Sequence, residues 1–370
     1  MRKHHPENER VKRKYFTFLK EAKRQDDASV DAAAKAISRF EEYTGWKDFK
    51  SFHFQQAVGF KGFLAKHQNA RTGKGLSKAT MNSTLRSLKA FFQWLAREPG
   101  YKSRINYSEA EYFNLSEKDA RVATAKRRGR VPTMEQIRKV ISSMPHETVI
   151  DRRNRALIAF TLLTGARDSA IASIKLKHVD TEAESECVYQ DAREVKTKAS
   201  KTFTTYFFPV DIEFRQIVLD WIGFLRTELL FGNDDPLFPK TALVRGKRHV
   251  FEASGVLREH WSNATPIRKI FKDAFQAAGL EYFNPHSFRK TLVRLGQTLC
   301  QTPEEFKAWS QNLGHEGVLT TFYSYGEVQE SRQSEIFQTL KQPRGKSSTN
   351  QAEEIAAAVL RQLNSTETVV

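Results

Sequence analysis

The stretch NPHSFRK (284–290), followed by TPEEFKAWSQNLGHEG (302–317) and TTFYSYGEV (320–328), decides the reading of this chain. Asn284 can cap a helix with Pro285 at its first position, which sets His286 and Arg289 three apart on one helical face. Both side chains can then converge on one small anion. The next helix opens with Thr302 as cap, Pro303 at the first position and Glu304 and Glu305 in the first turn, and it stops at Gly314. His315 follows directly on that helix end. Tyr323 and Tyr325 come close enough behind it to fold back onto the same pocket.

Working outward, TLLTGARDSAIASIKLKHVD (161–180) is an apolar helix that ends at Gly165 and delivers Arg167 at the turn. Two short strands, around Cys187 to Tyr189 and from Phe203 to Val210, bracket the basic turn REVKTKASK and place lysines at a hairpin tip. The order Arg in TGAR, Lys in a basic hairpin, HxxR, LGH and then Tyr resembles the catalytic domain of the tyrosine recombinases (phage integrase family), from about Val131 to Leu340. The resemblance implies a phosphodiester as the anion. Arg167 and Arg289 would be its paired arginines, with His286 and His315 beside them and Tyr325 as nucleophile. Lys196, followed by the small residue Thr197, matches the family's proton-donating lysine, with Lys198 as its rival. Tyr325 is preferred to Tyr323 because YGEV resembles the family's Tyr-x-x-Val ending. Two departures stand out. Tyr325 lies one residue further from His315 than is usual. Ala170 occupies the place of a family carboxylate, for which Asp168 is the available substitute.

The formal charge of +17, from 60 Lys and Arg against 43 Asp and Glu, implies a polyanionic partner. Double-stranded DNA fits, because each neutralised phosphate releases counterions and adds affinity. No apolar run approaches the ~20 residues that span a bilayer. The basic start MRKHHPENERVKRKY lacks the apolar region of a signal peptide, so a cytoplasmic, nucleoid-associated protein is expected. Only Cys187 and Cys300 occur, read as small core residues in a reducing compartment. His315-Glu316 has no second His at zinc-helix spacing, and no GxxxxGK[ST] is present, so no metal, nucleotide or other cofactor is expected.

In chain order, residues 1–10 read as a polar tail and 11–115 as a bundle of short helices. These include Val30–Tyr43, Phe54–Lys66 and a helix from Ser77 whose Met81, Leu85, Leu88, Phe92 and Leu95 form a core stripe. The Gly-rich basic turn NARTGKGLSK could touch a phosphate backbone. Residues 116–130 read as a basic interdomain linker running along DNA, and 131–340 as the catalytic domain. There, Thr133 to Gln136 form a capping box, Asp211 to Phe231 form a helix, and Thr265 caps a helix that ends at Gly279. Residues 341–370 are a tail with a short amphipathic helix, EEIAAAVLRQL, suited to docking on a neighbouring subunit.

The expected fold is therefore mainly α: an N-terminal helical core-binding (SAM-like) domain and a mostly helical catalytic domain with a small antiparallel sheet. By resemblance the two form a C-shaped clamp on duplex DNA. The implied activity is site-specific breakage and rejoining through a 3′-phosphotyrosyl bond, without metal or ATP, in a homo-tetramer on two DNA sites with possible accessory DNA-bending proteins. A type IB topoisomerase and a catalytically inactive DNA-binding regulator are the alternatives.

Overall fold

The computed structural model describes residues 4–68, 73–125, 130–183, 185–245 and 251–315. The chain divides into two compact units, residues 1–127 and 128–370.

The first unit is helical: α1 (Pro6–Thr17), α2 (Asp27–Thr44), α3 (Phe54–Lys66), α4 (Lys78–Leu95) and α5 (Glu117–Thr124). Its core is aromatic. Phe40, Phe60, Phe91, Phe92 and Phe113 are fully buried, and the Phe52 ring stacks on Phe92 at 3.9 Å. Two expectations change here. The polar start is not a tail, because α1 begins at Pro6 and Asn8 is completely buried. Its amide donates to Glu41 and to the Lys47 carbonyl and accepts from the Phe49 N–H, so its polar atoms are satisfied inside the unit. The segment read as a linker begins as α5, whose N-terminus is capped by the Ser116 hydroxyl.

The second unit contains α6 (Met134–Ser143), α7 (Val149–Thr164), α8 (Asp168–Ile171), β1 (Val179–Asp180), β2 (Cys187–Gln190), β3 (Phe203–Tyr206), α9 (Ile212–Thr227), β4 (Lys240–Arg245), β5 (Phe251–Leu257), α10 (Thr265–Ala277), α11 (Pro285–Leu299) and α12 (Pro303–Asn312). Helix α7 is buried on all sides from Ala156 to Thr164, which is why its sequence is an apolar run rather than a stripe. The antiparallel sheet has the order β1-β2-β3, leaving β3 at an edge. Beyond Tyr206 the chain leaves the sheet, and the Phe208 N–H donates to the Leu163 carbonyl of α7 at 2.7 Å. This ends the strand earlier than Val210.

The hairpin β4-β5 was not expected. It is tied to α7 by Arg153, which is 2% exposed, donates to the Pro239 carbonyl and the Thr241 hydroxyl, and lies over the Trp261 ring. Burial lowers this guanidinium to about 10. Thr265 is the first residue of α10 rather than its cap, and its N–H is taken by the Asn263 side chain. Cys187 and Cys300 are half-buried free thiols, not core residues. Among the described residues no helix is long and apolar enough to cross a membrane, and no group of His, Cys, Asp and Glu could hold a metal ion.

Candidate DNA-cleavage site

Three chain turns in the second unit meet at one buried guanidinium. Arg289, on the first turns of α11, is 2% exposed. It donates through Nη1 to the Gly165 carbonyl, and through Nη2 to the Leu313 carbonyl at 2.5 Å and to His315 Nε2 at 3.1 Å. Gly165 lies two residues before Arg167, and Leu313 two before His315. One planar fork therefore fixes the turn that carries the first arginine against the turn that carries the second histidine.

Local sequence explains each turn. Asn284 accepts from the Ser287 N–H and Pro285 fills the first position of α11, as its sequence predicts. Helix α12 starts with a complete Thr302/Glu305 capping box. Gly165 (φ 58°) ends α7 in the left-handed region, and a Cβ there would come within 2.7 Å of Leu313 and 3.0 Å of Leu292. Gly314 (φ 68°) is likewise left-handed, and a Cβ would meet the Phe203 ring at 2.6 Å. Both glycines serve a close approach as well as a backbone turn.

His315 is 7% exposed, whereas His286 keeps solvent access at the start of α11. Burial, then the charges of Arg289, Arg167, His286 and Lys201, lower the His315 imidazole to about 4. Desolvation around the ring lowers His286 to about 4 as well, followed by the charges of Arg289, Lys290 and Arg167, although the residue as a whole remains accessible. Both rings are thus neutral near pH 7 and able to accept a proton. Asp168 pairs with Arg268 Nε at 2.6 Å, and Ala170 is buried at 1% exposure. The substitute carboxylate is engaged by a different arginine.

The lysines divide in a way the sequence did not reveal. Lys196 is exposed, and its backbone is pinned beside α8: its N–H donates to the Ser173 hydroxyl at 2.8 Å and its carbonyl accepts from the Ser169 hydroxyl at 3.2 Å. Lys198 is exposed within the same loop. Lys201 lines a cavity of about 310 Å³ with Thr202, Phe203, Gln311, Gly314 and His315. A usable signal was present, since Lys201-Thr202 is also a lysine followed by a small residue. Tyr323 and Tyr325 lie outside the described residues.

The second unit is thus mostly helical with a small antiparallel sheet, and Arg289 ties the turn before Arg167 to the turn that carries His315. The sequence profile described as the phage integrase family matches residues 131–332, more than half of the chain, and the chain belongs to that family. Its activity is that of a tyrosine-type site-specific DNA recombinase. Among its relatives is the tyrosine recombinase XerC of Lactobacillus leichmannii, 24% identical over 264 residues that cover 70% of this chain and 76% of the relative. The fold is that of a lambda integrase(75–356) dimer bound to a COC′ core site (12% identity, TM-score 0.57, covering 87% of this chain and 96% of that one). It is also that of the Tn1549 transposon integrase in complex with circular intermediate DNA (17% identity, TM-score 0.57, covering 88% and 98%).

The neutral histidines have a measurable consequence. The unfolded chain takes up protons on its histidines as pH falls through about 6.5, whereas the folded His286 and His315 do so only near 4. Between those values the unfolded state binds more protons, so stability present above pH 6.5 is lost as pH falls toward 4. The thermal midpoint should fall between pH 7 and pH 5, and less steeply in His286→Asn/His315→Asn. An equal slope in that double variant would remove these two histidines as its source.

Proposed function

We propose that Arg167 and Arg289 hold the non-bridging oxygens of the scissile phosphate, and that Tyr325 attacks the phosphorus. Guanidinium forks match the charge that builds on those oxygens in the transition state. His315 donates a further hydrogen bond, and the accessible His286, made more basic when the negative phosphate enters beside it, takes the phenol proton. As the Tyr Oη–P bond forms, the P–O5′ bond breaks, and Lys201 delivers its proton to the departing 5′ oxygen. The lysine is then neutral, and His286 carries the proton that the phenol lost. Attack by a 5′ hydroxyl runs the sequence backwards, so a phosphodiester is exchanged for another at little net cost. The observation that carries this reading is the buried Arg289, whose guanidinium bonds the Gly165 carbonyl two residues before Arg167 as well as the Leu313 carbonyl and His315.

The wider assembly follows from the same chemistry. Exchange between two sites needs four nucleophiles, hence a homo-tetramer on two duplexes, with accessory DNA-bending proteins where a site requires them. The first unit acts as the core-binding domain, the basic residues within 116–130 run along the DNA, and the tail 341–370 docks on a neighbouring subunit. The natural setting is the cytoplasm, at the nucleoid, on a mobile genetic element.

Covalent capture tests the function directly. The wild-type protein is incubated with duplex fragments flanking its gene and with a random duplex pool, then denatured in detergent. Protein joined to 3′ DNA ends, with free 5′ hydroxyls, is the expected product. Duplex binding without any linkage would support the non-catalytic alternative instead.

A further inference from the structure

The cavity wall that carries Lys201 belongs to an edge strand, and edge strands need something to hold them. In β3 that something is a side chain. Asn312 Oδ1 accepts from the Tyr206 N–H at 2.7 Å, and its Nδ2 donates to the Tyr206 carbonyl at 2.9 Å. The amide thus pairs with both main-chain groups of one residue, as a neighbouring strand would. The Asn312 carbonyl adds a third tie, accepting from the Thr205 hydroxyl at 3.1 Å. Thr205 is completely buried and also accepts from the Gln190 amide on β2, so the seam is anchored through the sheet.

Two residues on, Gly314 lies against the Phe203 ring, leaving no space for a Cβ. The end of α12 is therefore stitched to both ends of β3. Lys201 stands two residues before Phe203, and His315 directly follows Gly314. The only chain between these side chains and the seam is a residue or two on either side.

We propose that Asn312 is a positioning residue: its side chain holds the free edge of β3 to the end of α12, keeping Lys201 on the cavity wall it shares with His315. This rests on Lys201 being the proton donor. Asn312 itself touches no reacting atom. Its contribution is to fix where the donor stands, and small displacements of a reacting group are costly.

The test replaces the bridging 5′ oxygen of the scissile phosphate with sulfur in a synthetic duplex of the captured sequence. A thiolate, whose acid has a pKa of about 8.5, leaves without being protonated. An alkoxide, with an acid closer to about 16, does not. Asn312→Ala should bind the duplex like wild type and cleave the oxygen substrate about 10- to 100-fold more slowly. On the sulfur substrate it should return close to the wild-type rate. Thr205→Val, which keeps the shape but removes one tie, should show the same pattern to a smaller extent and guards against a folding failure of the alanine variant.

Equal slowing on both substrates, or none on either, would overturn the proposal. Lys201→Ala, run alongside, separates the two layers. A lysine variant that sulfur does not recover removes the proton-donor reading and this inference with it. A recovered lysine variant beside an unrecovered Asn312→Ala removes the inference alone.

Discussion

Tyr325→Phe should yield no protein–DNA adduct from duplex that it binds as tightly as wild type, measured by detergent-denatured gels and by equilibrium binding. The substitution removes one oxygen, and in the proposed reaction that oxygen forms the new bond to phosphorus. A free phenol with pKa about 10 is only about a thousandth ionised at pH 7. A strong field must therefore favour its oxyanion, which in the proposed reaction the two arginines and the lysine supply. Phe keeps the ring and loses only the hydroxyl, so binding should be unaffected while linkage falls by more than about 10⁴-fold. Tyr323→Phe should still form the adduct. The reverse pattern, an adduct that survives in Tyr325→Phe and vanishes in Tyr323→Phe, would move the nucleophile two residues toward the amino terminus.

What the sequence disclosed about this site follows from how local each signal is. The caps at Asn284, Thr302 and Thr133 and the stops at Gly165 and Gly314 depend on contacts within about four residues, and the structure has all of them. They were enough to place Arg167, His286, Arg289 and His315 at the ends of their helices. The convergence on Arg289 could not be read from any local window, because its bonds to Gly165 and Leu313 span 124 and 24 residues. The same holds where the reading missed. Helix α1 looks like a polar tail until Glu41 and Phe49 arrive to bury Asn8. The β4-β5 hairpin has a register shift between Ala242 and Leu243 that interrupts its alternation, and the buried Arg153 that anchors it lies on α7.

The sequence favours Lys196, whereas the proposed donor is Lys201, and the difference has a related reason. A basic turn between two strands suggests that its tip is the part that reaches outward to the substrate. Here the register pairs Gln190 with Phe203, so residues 191–202 form a long connection rather than a tight turn. That connection folds back. Val195 is buried, Glu194 pairs with Lys175 and Lys177, and Lys196 is bonded by its backbone to the two serines beside α8. The last step of the connection before β3 is the part that shares a cavity with His315, because α12 is bonded to that strand.

Lys201→Ala should accordingly slow cleavage of an ordinary phosphodiester by about 10²- to 10⁴-fold, the usual contribution of a general acid. Lys196→Ala and Lys198→Ala should cleave at nearly the wild-type rate. The sulfur-bridged substrate turns this into a statement about chemistry rather than about folding or binding. If Lys201 supplies the proton to the 5′ oxygen, a leaving group that needs no proton makes the lysine dispensable, and Lys201→Ala should recover most of its loss. A lysine that only neutralised the non-bridging oxygens would be missed equally with either leaving group, since those oxygens are the same in both substrates. An arginine variant such as Arg167→Ala supplies that reference, remaining slow on sulfur as on oxygen. Sulfur recovery in Lys196→Ala with none in Lys201→Ala would return the role to the hairpin connection.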